Sequence, residues 1–388
     1  MSPGVKCERF FRLTRCGMGT LRSAIASQIT CLWRRPMNVV PTSAGNGALL
    51  DTSRLCVCTD RIQETSDVVT LVFERVDGRG FDFRAGQSTT IRFGWNGEHF
   101  SRVFTIASPP SRPQRIALTI KAAKDGKATR ILHDHFGAGA TAEIGKAGGM
   151  FTLEGRAFQK ALFLCAGSGV TPFMSMLRSL SDAGSDLDIC LIQCARTPGD
   201  LLFEDELRSF AQLPGLRVET VCSQASGAFG AGGRLDMTKL AELVPDAAER
   251  SAFLCGPTAF MEAMRRYLLE LGVPAREIFE EAFGPAPSGA IKSAADRGQG
   301  GEARSILFQR CSINRVAGAG ETILDIAEAA GIHVETSCRM GLCGTCKVML
   351  ASGAVDMNEM GGLSDAEREA GFVLACCSTP TSDIAVDL

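Results

Sequence analysis

Short runs of alternating hydrophobic and polar residues fill the chain from Leu55 to about residue 155. They predict strands at 68–73, 88–93, 102–107 and 116–122, with turn residues between them and no long helical period. Several short strands in succession are typical of a small antiparallel β-barrel.

After Lys160 the pattern changes to apolar strands that alternate with amphipathic helices, which predicts a parallel α/β sheet. The predicted strands are 161–166, 187–194, 216–222 and 252–255. From residue 284 to 304 the sequence is rich in glycine, proline and polar residues and has no periodicity, as flexible linkers are. The last segment opens with a strand and a helix at 322–330, where Thr322 and Asp325 are spaced as a capping box.

These changes predict a multidomain chain with five segments. They are an N-terminal extension at 1–50, the antiparallel barrel at 51–155, the parallel α/β domain at 156–284, the linker at 285–303 and a small C-terminal domain at 304–388.

Composition narrows the possible functions. The net charge of −2 argues against nucleic-acid binding, because a surface that follows phosphates needs a strong basic excess. No apolar run is long enough to span a membrane, and most of the 16 cysteines are scattered, which favours a reducing cytoplasm. Residues 1–36 carry seven Lys or Arg against the single acid Glu8; both a transit peptide and a non-functional extension fit that composition.

The strongest chemical signal is the run Cys338, Cys343 and Cys346 with Cys376 thirty residues later. This C-x4-C-x2-C…C spacing is that of a plant-type [2Fe-2S] cluster, which needs four thiolates. The alternatives are a zinc site or buried thiols, but Cys343 and Cys346 have no second close pair of Cys or His, as a structural zinc site usually has.

The C-terminal domain resembles the plant-type ferredoxins, which have a β-grasp fold. In that family the last cluster ligand stands four residues before a proline, and Pro380 stands four residues after Cys376. The resemblance therefore selects Cys376, rather than its neighbour Cys377, as the fourth ligand.

The segment Arg102-Val103-Phe104-Thr105 resembles the R-x-[YF]-[ST] signature of the ferredoxin-reductase flavoprotein family. The resemblance implies that Arg102 pairs with a flavin phosphate, that Phe104 lies against the isoalloxazine ring, and that Thr105 contacts the ring edge. A guanidinium matches phosphate oxygens bidentately, and a flat aromatic ring supplies stacking area. Phe104 replaces the commoner tyrosine, so a phenolic hydrogen bond is lost.

A second flavin-binding element follows in the same family, and this chain has a counterpart. Thr119 and Lys121 end a predicted strand, and Gly126 then opens a helix-like stretch that contains Thr129. Backbone N–H groups at the start of a helix bind anions. The family usually has Ser-Asn after this glycine, and the stretch here departs from that.

A glycine turn follows the first strand of the α/β domain. Gly167, Gly169, Thr171 and Pro172 form a G-x-G-x-x-P pattern between that strand and a predicted helix at 172–180. Glycines allow close approach to a pyrophosphate, and proline suits the first helical turn. The proline form of this turn is the one found in ferredoxin-reductase relatives.

Cys255, Gly256 and Pro257 form a second strand-to-helix turn. In the family this turn borders the nicotinamide, which implies a catalytic position for Cys255 beside the carbon that gives up hydride. A buried core cysteine is the alternative. The sequence from Glu281 to Phe283 resembles the family's E-x-F, whose aromatic residue lies near the flavin face.

The order of these motifs resembles the reductase components of Rieske-type oxygenases, such as those of phthalate dioxygenase, vanillate demethylase and glycine betaine demethylase. The resemblance implies electron transfer from NADH to flavin, then to the cluster, then to a protein acceptor that is expected to be a Rieske oxygenase. FAD is expected, with FMN the alternative because phthalate dioxygenase reductase uses FMN.

NADH is favoured over NADPH because Arg196 is the one arginine in 195–198, after the second strand of the α/β domain, and acidic residues follow at 204–206. Two other functions stay open. One is an NADH reductase for a hybrid-cluster protein, and the other is a redox-sensing binding protein that uses the same cofactors.

Overall fold

The computed structural model describes residues 54–224, 233–282 and 304–388, apart from positions 319, 337, 338, 340, 342 and 360. The expected N-terminal extension at 1–50 and the linker at 285–303 lie outside the described residues, so their boundaries stay predictions. The described chain contains three main sheets, all within one compact unit.

The first sheet is antiparallel and has six strands in the order β4-β3-β6-β1-β2-β5. The elements are β1 (Leu55–Thr65), β2 (Val68–Arg75), β3 (Ser88–Trp95), β4 (Glu98–Thr105), β5 (Arg115–Lys121), α1 (Lys127–His135) and β6 (Thr141–Ile144). An isolated bridge between Ile106 and Leu118 brings the chain after β4 to β5, at the opposite edge of the sheet. The sheet therefore closes as the predicted barrel.

The sequence places β4 too late, and the hairpin turn before it explains the difference. Asn96 and Gly97 both have positive φ values, +49° and +80°, as a tight two-residue hairpin turn requires. Because this turn joins β3 directly to the next strand, β4 begins at Glu98, four residues before its predicted start.

The second sheet is parallel, with five strands in the order β11-β10-β7-β8-β9. Its elements are β7 (Lys160–Ala166), α2 (Thr171–Ala183), β8 (Asp188–Ala195), α3 (Glu204–Phe210), β9 (Leu216–Cys222), α4 (Met237–Leu243), β10 (Ser251–Gly256), α5 (Thr258–Glu270) and β11 (Ile278–Ala282). The inner strands β7 and β10 are buried almost throughout, because helices cover both faces of such a sheet. The strand order reverses between β7 and β10.

The third sheet has the order β13-β12-β18-β14-β16, and β15 pairs with β17 beside it. The elements are β12 (Arg304–Phe308), β13 (Ile313–Ala317), α6 (Ile323–Ala329), β14 (Lys347–Ser352), β15 (Val355–Met357), α7 (Asp365–Glu369), β16 (Phe372–Leu374), β17 (Ser378–Pro380) and β18 (Ile384–Val386). Helix α6 begins with the predicted capping box of Thr322 and Asp325.

The described elements confirm the fold class expected from the sequence, with an antiparallel barrel, a parallel α/β domain and a ferredoxin-type domain. Among the helices in the described part of the chain, none is long and apolar enough to cross a membrane.

Candidate functional site

The two predicted nicotinamide turns lie at the point where the order of the parallel sheet reverses. The glycine turn follows β7, and the turn of Gly256 and Pro257 follows β10, the neighbouring strand on the other side of the reversal. In open α/β sheets this crevice, beyond the carboxyl ends of the strands, is where ligands bind. The topology therefore brings the two motifs to one ligand-binding edge.

The segments after β7 and β10 touch each other. A Cβ atom built on Gly169 would lie 2.2 Å from the carbonyl oxygen of Cys255, so a residue without a side chain is needed there. A Cβ atom on Gly256 would lie 3.3 Å from the Cβ of Ala166 at the end of β7. Gly167 has a φ of +56°, in the region that favours glycine.

Helix α2 begins at Thr171, directly after a 3₁₀ turn at Gly167–Val170. The Thr171 hydroxyl donates to the carbonyl oxygen of Ser168 at 3.0 Å and so holds the turn against the helix. Pro172 occupies the first helical turn, where its missing N–H removes no hydrogen bond. The start of a helix is where backbone N–H groups bind anions, so this turn has the position that a pyrophosphate site requires.

Cys255 lies at the carboxyl end of β10, in the middle of three parallel strands. It pairs in register with Cys165 of β7 on one side and Glu281 of β11 on the other. The side chain is fully buried, and this burial, with Glu281 and Cys165 nearby, raises the pKa of the thiol well above its ordinary value. At neutral pH Cys255 is therefore an uncharged thiol and a poor nucleophile, because the thiolate is the reactive form.

Glu281 connects the sheet to the flavin barrel. Thr105, at the end of β4, donates a hydrogen bond from Oγ1 to Glu281 Oε2 at 3.2 Å. Glu281 is 3% exposed, and burial raises the pKa of its carboxyl to about 8, although the hydrogen bond from Thr105 acts in the opposite direction. The sequence signal for Glu281 was its position in the motif from Glu281 to Phe283. The prediction, however, gave a site role only to Phe283, which lies outside the described residues.

The predicted flavin signature lies on β4. Arg102 and Phe104, two residues apart, share a face of the strand. Arg102 is exposed and donates from Nη1 to the carbonyl oxygen of Ser101 at 2.7 Å, whereas Phe104 is half-buried against the barrel core. An exposed guanidinium beside a half-buried aromatic ring fits the phosphate and ring of a flavin.

The second flavin element follows β5. Thr119 is buried and shares a hydrogen bond with Thr70 at 2.9 Å, and Lys121 lies 3.3 Å from Asp67. Helix α1 then starts after Gly126, as predicted. This places a lysine and a helix N-terminus close together in sequence, which fits a phosphate-binding element.

Gly126 and Thr129 form a tight turn at the start of α1. The Thr129 hydroxyl donates to the Gly126 carbonyl oxygen at 3.0 Å and accepts a hydrogen bond from the Ala123 N–H at 3.1 Å. A Cβ atom on Gly126 would lie 2.6 Å from Thr129 Oγ1. The departure from the family's Ser-Asn thus gives Thr129 a role in shaping the loop.

A buried contact that the sequence did not predict joins α2 to the barrel. Ser175 donates to the carbonyl oxygen of Ser108, and Arg178 donates to that of Ala107, both at 2.7 Å. Arg178 is 4% exposed and also forms an ion pair through two hydrogen bonds with Glu206. The available sequence signal was a serine and an arginine in a mostly apolar helix. Both lie among the first eight residues of α2, all of which are buried.

The two glycines of the cysteine loop have the left-handed backbone conformation that a tight curl requires. Gly341 and Gly344 have φ values of +73° and +71°, and Cys343 and Cys346 are both buried. A Cβ atom on Gly344 would lie 2.5 Å from the carbonyl oxygen of Gly362, so the loop is packed closely against its own domain.

The fourth predicted ligand lies beside the loop. A hydrogen bond between the thiols of Cys376 and Cys346 lowers the pKa of Cys346. Among the described residues no group of three His, Cys, Asp or Glu could hold a single metal ion. A [2Fe-2S] cluster places two cysteines on each iron, so pairs of thiols fit it. Cys338 lies outside the described residues, and the thiols of Cys343, Cys346 and Cys376 are ligands of the kind that an iron-sulfur cluster requires.

Comparison with known proteins identifies three domains in this order. Models of three families match: an oxidoreductase FAD-binding domain at residues 56–152, an oxidoreductase NAD-binding domain at 163–266 and a 2Fe-2S iron-sulfur cluster binding domain at 311–381.

Full-length relatives share the same arrangement. The glycine betaine monooxygenase reductase subunit of Chromohalobacter salexigens is 34% identical over 85% of this chain and 94% of its own. The NADH oxidoreductase HCR of Escherichia coli is 33% identical over 84% of this chain and 94% of its own. The solved structure of phthalate dioxygenase reductase has the same fold, with a TM-score of 0.53 and 23% identity over 86% of this chain and 97% of its own. The chain therefore belongs to the family of NAD(P)H-dependent flavin and iron-sulfur oxidoreductases that includes the glycine betaine monooxygenase reductase subunits.

Proposed function

We propose that this protein is the reductase component of an oxygenase system and passes electrons from NADH to a Rieske-type oxygenase. The observation that carries the proposal is the hydrogen bond between Thr105 and Glu281, next to Cys255. It joins the end of β4, which carries the proposed flavin signature, to the carboxyl end of the parallel sheet, which carries the proposed nicotinamide turns. The two motifs therefore lie close together.

The flavin-binding residues divide into ring and phosphate contacts. Phe104 and Thr105 orient the ring, and Arg102 binds a phosphate. The chemistry that a bound flavin supplies is acceptance of a hydride and release of its electrons one at a time. The second phosphate contact comes from Thr119, Lys121 and the turn of Gly126 and Thr129.

The nicotinamide-binding residues lie at the two turns. Gly167, Gly169, Thr171 and Pro172 hold the pyrophosphate at the start of α2. Cys255, Gly256 and Pro257 border the nicotinamide ring, and Phe283 is proposed to cover the flavin face.

Charge at this junction also suits hydride transfer. Below a pH of about 8 the Glu281 carboxyl is mostly protonated, and Cys255 is a neutral thiol. Because neither side chain carries a negative charge, neither would repel the hydride that a nicotinamide bound here supplies.

The proposed cluster ligands are Cys338, Cys343, Cys346 and Cys376. Burial of Cys343 and Cys346 in one loop supports this set. Away from that loop, Cys165, Cys190 and Cys255 are buried and form no disulfide, which supports a reducing, cytoplasmic location. Because the cluster is the last cofactor in the proposed electron path, we propose that it passes its electrons to a protein acceptor.

The oxygenase partner is tested by reconstitution. The purified, cofactor-loaded protein is mixed anaerobically with a Rieske oxygenase that demethylates a small quaternary amine, such as glycine betaine, and NADH is added. We expect bleaching of the oxygenase's visible spectrum, and the Cys376→Ser variant as control should leave the oxygenase oxidised. Rapid reduction of cytochrome c without reduction of the oxygenase would contradict the proposed partner.

A second candidate is supported by one specific relative. The similarity to the NADH oxidoreductase HCR of Escherichia coli supports a second NADH-dependent candidate. Its acceptor is proposed to be a hybrid-cluster protein. Parallel assays with that acceptor decide between the two, because the physiological partner should be reduced at a far lower concentration. A redox sensor would instead bind its partner in one redox state and show negligible NADH turnover.

The coenzyme preference is proposed to be NADH. Arg196 follows β8, where a 2′-phosphate would lie, but Asp200 faces it at 3.7 Å. Hydrogen bonding from Thr197 lowers the pKa of Asp200, so this acid is ionised at neutral pH and repels a phosphate. We expect a higher kcat/KM with NADH than with NADPH, and the reverse ratio would refute the preference. Flavin extraction followed by chromatography distinguishes FAD from FMN.

A further inference from the structure

Gly148 lies in the barrel segment after β6, directly against the cysteine loop of the C-terminal domain. A Cβ atom built on Gly148 would lie 2.1 Å from the carbonyl oxygen of Cys343 and 3.0 Å from its Cβ. The φ of Gly148 is outside the left-handed region, so the backbone of the barrel does not itself require glycine here. The approach of Cys343 is what excludes a side chain.

The barrel holds Gly148 in a fixed position. Its N–H donates to the carbonyl oxygen of Ser88, and the Ser88 N–H donates back to its carbonyl oxygen, both at 2.9 Å. Ser88 is almost fully buried at the start of β3. A methyl group at position 148 would therefore displace the cysteine loop rather than the barrel backbone.

Two polar contacts flank this point. Arg92, which is paired with Glu143, donates from Nη2 to the carbonyl oxygen of Thr336 at 3.1 Å. Lys146 lies 2.9 Å from Glu335, and both side chains are more than half exposed. An exposed pair of this kind contributes at most about 1 kcal/mol and is screened by salt. The contact between the barrel and the C-terminal domain at this point therefore depends mainly on close packing, with two polar contacts beside it.

We infer that Gly148 is the docking point for the cluster loop and sets how closely the [2Fe-2S] site approaches the flavin barrel. The inference rests on the proposed electron path and adds the surface through which the path leaves the barrel. A methyl group at position 148 should lower the equilibrium constant for docking roughly 5- to 150-fold, the equivalent of an overpacking cost of about 1–3 kcal/mol.

The first test measures docking without measuring activity. A carbodiimide joins a lysine amine to a carboxylate only when the two are in contact, so it reports the pair of Lys146 and Glu335. The full-length, cofactor-loaded protein is cross-linked as wild type, Gly148→Ala and Gly137→Ala, and the linked peptide is quantified by mass spectrometry. Gly137 is the matched control, because a Cβ there would have no neighbour closer than 3.9 Å.

We expect equal cross-linking in the wild type and in Gly137→Ala, and a several-fold lower yield in Gly148→Ala. Lys146→Gln should remove the product and so confirm its identity. An undiminished yield in Gly148→Ala would overturn the inference.

The second test follows electrons by stopped flow. NADH should reduce the flavin at the same rate in all three proteins, whereas reduction of the cluster should be slower only in Gly148→Ala. Failure of NADH to reduce the wild-type flavin would contradict the proposed function and leave the cross-linking result standing. Unchanged cluster reduction in Gly148→Ala would contradict the docking inference alone.

Should Gly148→Ala lose its flavin, Glu335→Arg provides the same test from the other domain. It leaves the barrel unchanged and places two positive charges in contact. At low ionic strength, where this repulsion is unscreened, cluster reduction should slow and flavin reduction should not, and an unchanged cluster rate under that condition would again overturn the inference.

Discussion

The buried carboxyl of Glu281 should make the stability of the protein depend on pH. Burial raises its pKa from an ordinary value near 4.5 to about 8, so the folded protein holds a proton that the unfolded chain releases. The contribution of this proton to the free energy of unfolding is therefore complete below about pH 4.5 and decreases as the pH rises toward 8. Glu281→Gln replaces the acid by a neutral amide whose oxygen can still accept the hydrogen bond from Thr105, so the variant should lack this dependence.

The slope follows from proton linkage. Between the two pKa values the wild type loses about 1.4 kcal/mol of stability per pH unit, or roughly 3 kcal/mol from about pH 5.5 to 7.5. Relative to the wild type, Glu281→Gln should gain this amount over the same range and no more above about pH 8. Cys255 stays neutral throughout the range because burial raises its pKa well above the ordinary value.

Urea unfolding followed by flavin fluorescence measures this difference. The two proteins are compared at each pH, so that all other titrating groups cancel. Thr105→Val should unfold at lower urea than the wild type at every pH, because the carboxyl loses its hydrogen bond. Parallel pH profiles for the wild type and Glu281→Gln would refute the reasoning.

Three further predictions concern the other contacts. Arg178→Met should lower the free energy of unfolding by roughly 1–3 kcal/mol, because it leaves the buried carbonyl oxygen of Ala107 and the half-buried carboxylate of Glu206 without their partner; urea denaturation measures this, and a loss below 1 kcal/mol would contradict it. Gly169→Ala should raise the KM for NADH about tenfold through its clash with the neighbouring strand end, whereas Gly199→Ala, which has open space, should not. Cys376→Ser should abolish the cluster's visible absorption and Cys377→Ser should retain it, as absorption spectra and iron content will show; the reverse pattern would assign the ligand to Cys377.

Local pattern predicted most of the fold. The inner strands β7 and β10 are almost continuous apolar runs. The observed β9 at Leu216–Cys222 has its predicted ends. Helix α6 was located by its capping box, which is a contact between residues three apart. Signals of this kind depend only on residues close together in the chain, so they can be read from the sequence alone.

The sequence predicts candidate site residues only where a motif is local. The turn that begins at Gly167 and the cysteine loop are short segments with their own backbone requirements. The partners of Thr105 and Arg178 come from distant parts of the chain, and no pattern near either residue specifies them. Gly148 needs its small size only because Cys343 approaches from another domain, so the reason appears once both backbones are placed.

The hydrogen bonds made by residues 105–108 limit how domains can be exchanged between reductases of this family. The end of the flavin strand is held by Ser175 and Arg178 from α2 and by Glu281 from the last strand of the neighbouring domain. A barrel cut out at its domain boundary would lose all three, and a chimera joined to a foreign nicotinamide domain would keep them only if that domain supplied the same side chains. During synthesis, too, the flavin site is complete only after residue 281 has left the ribosome.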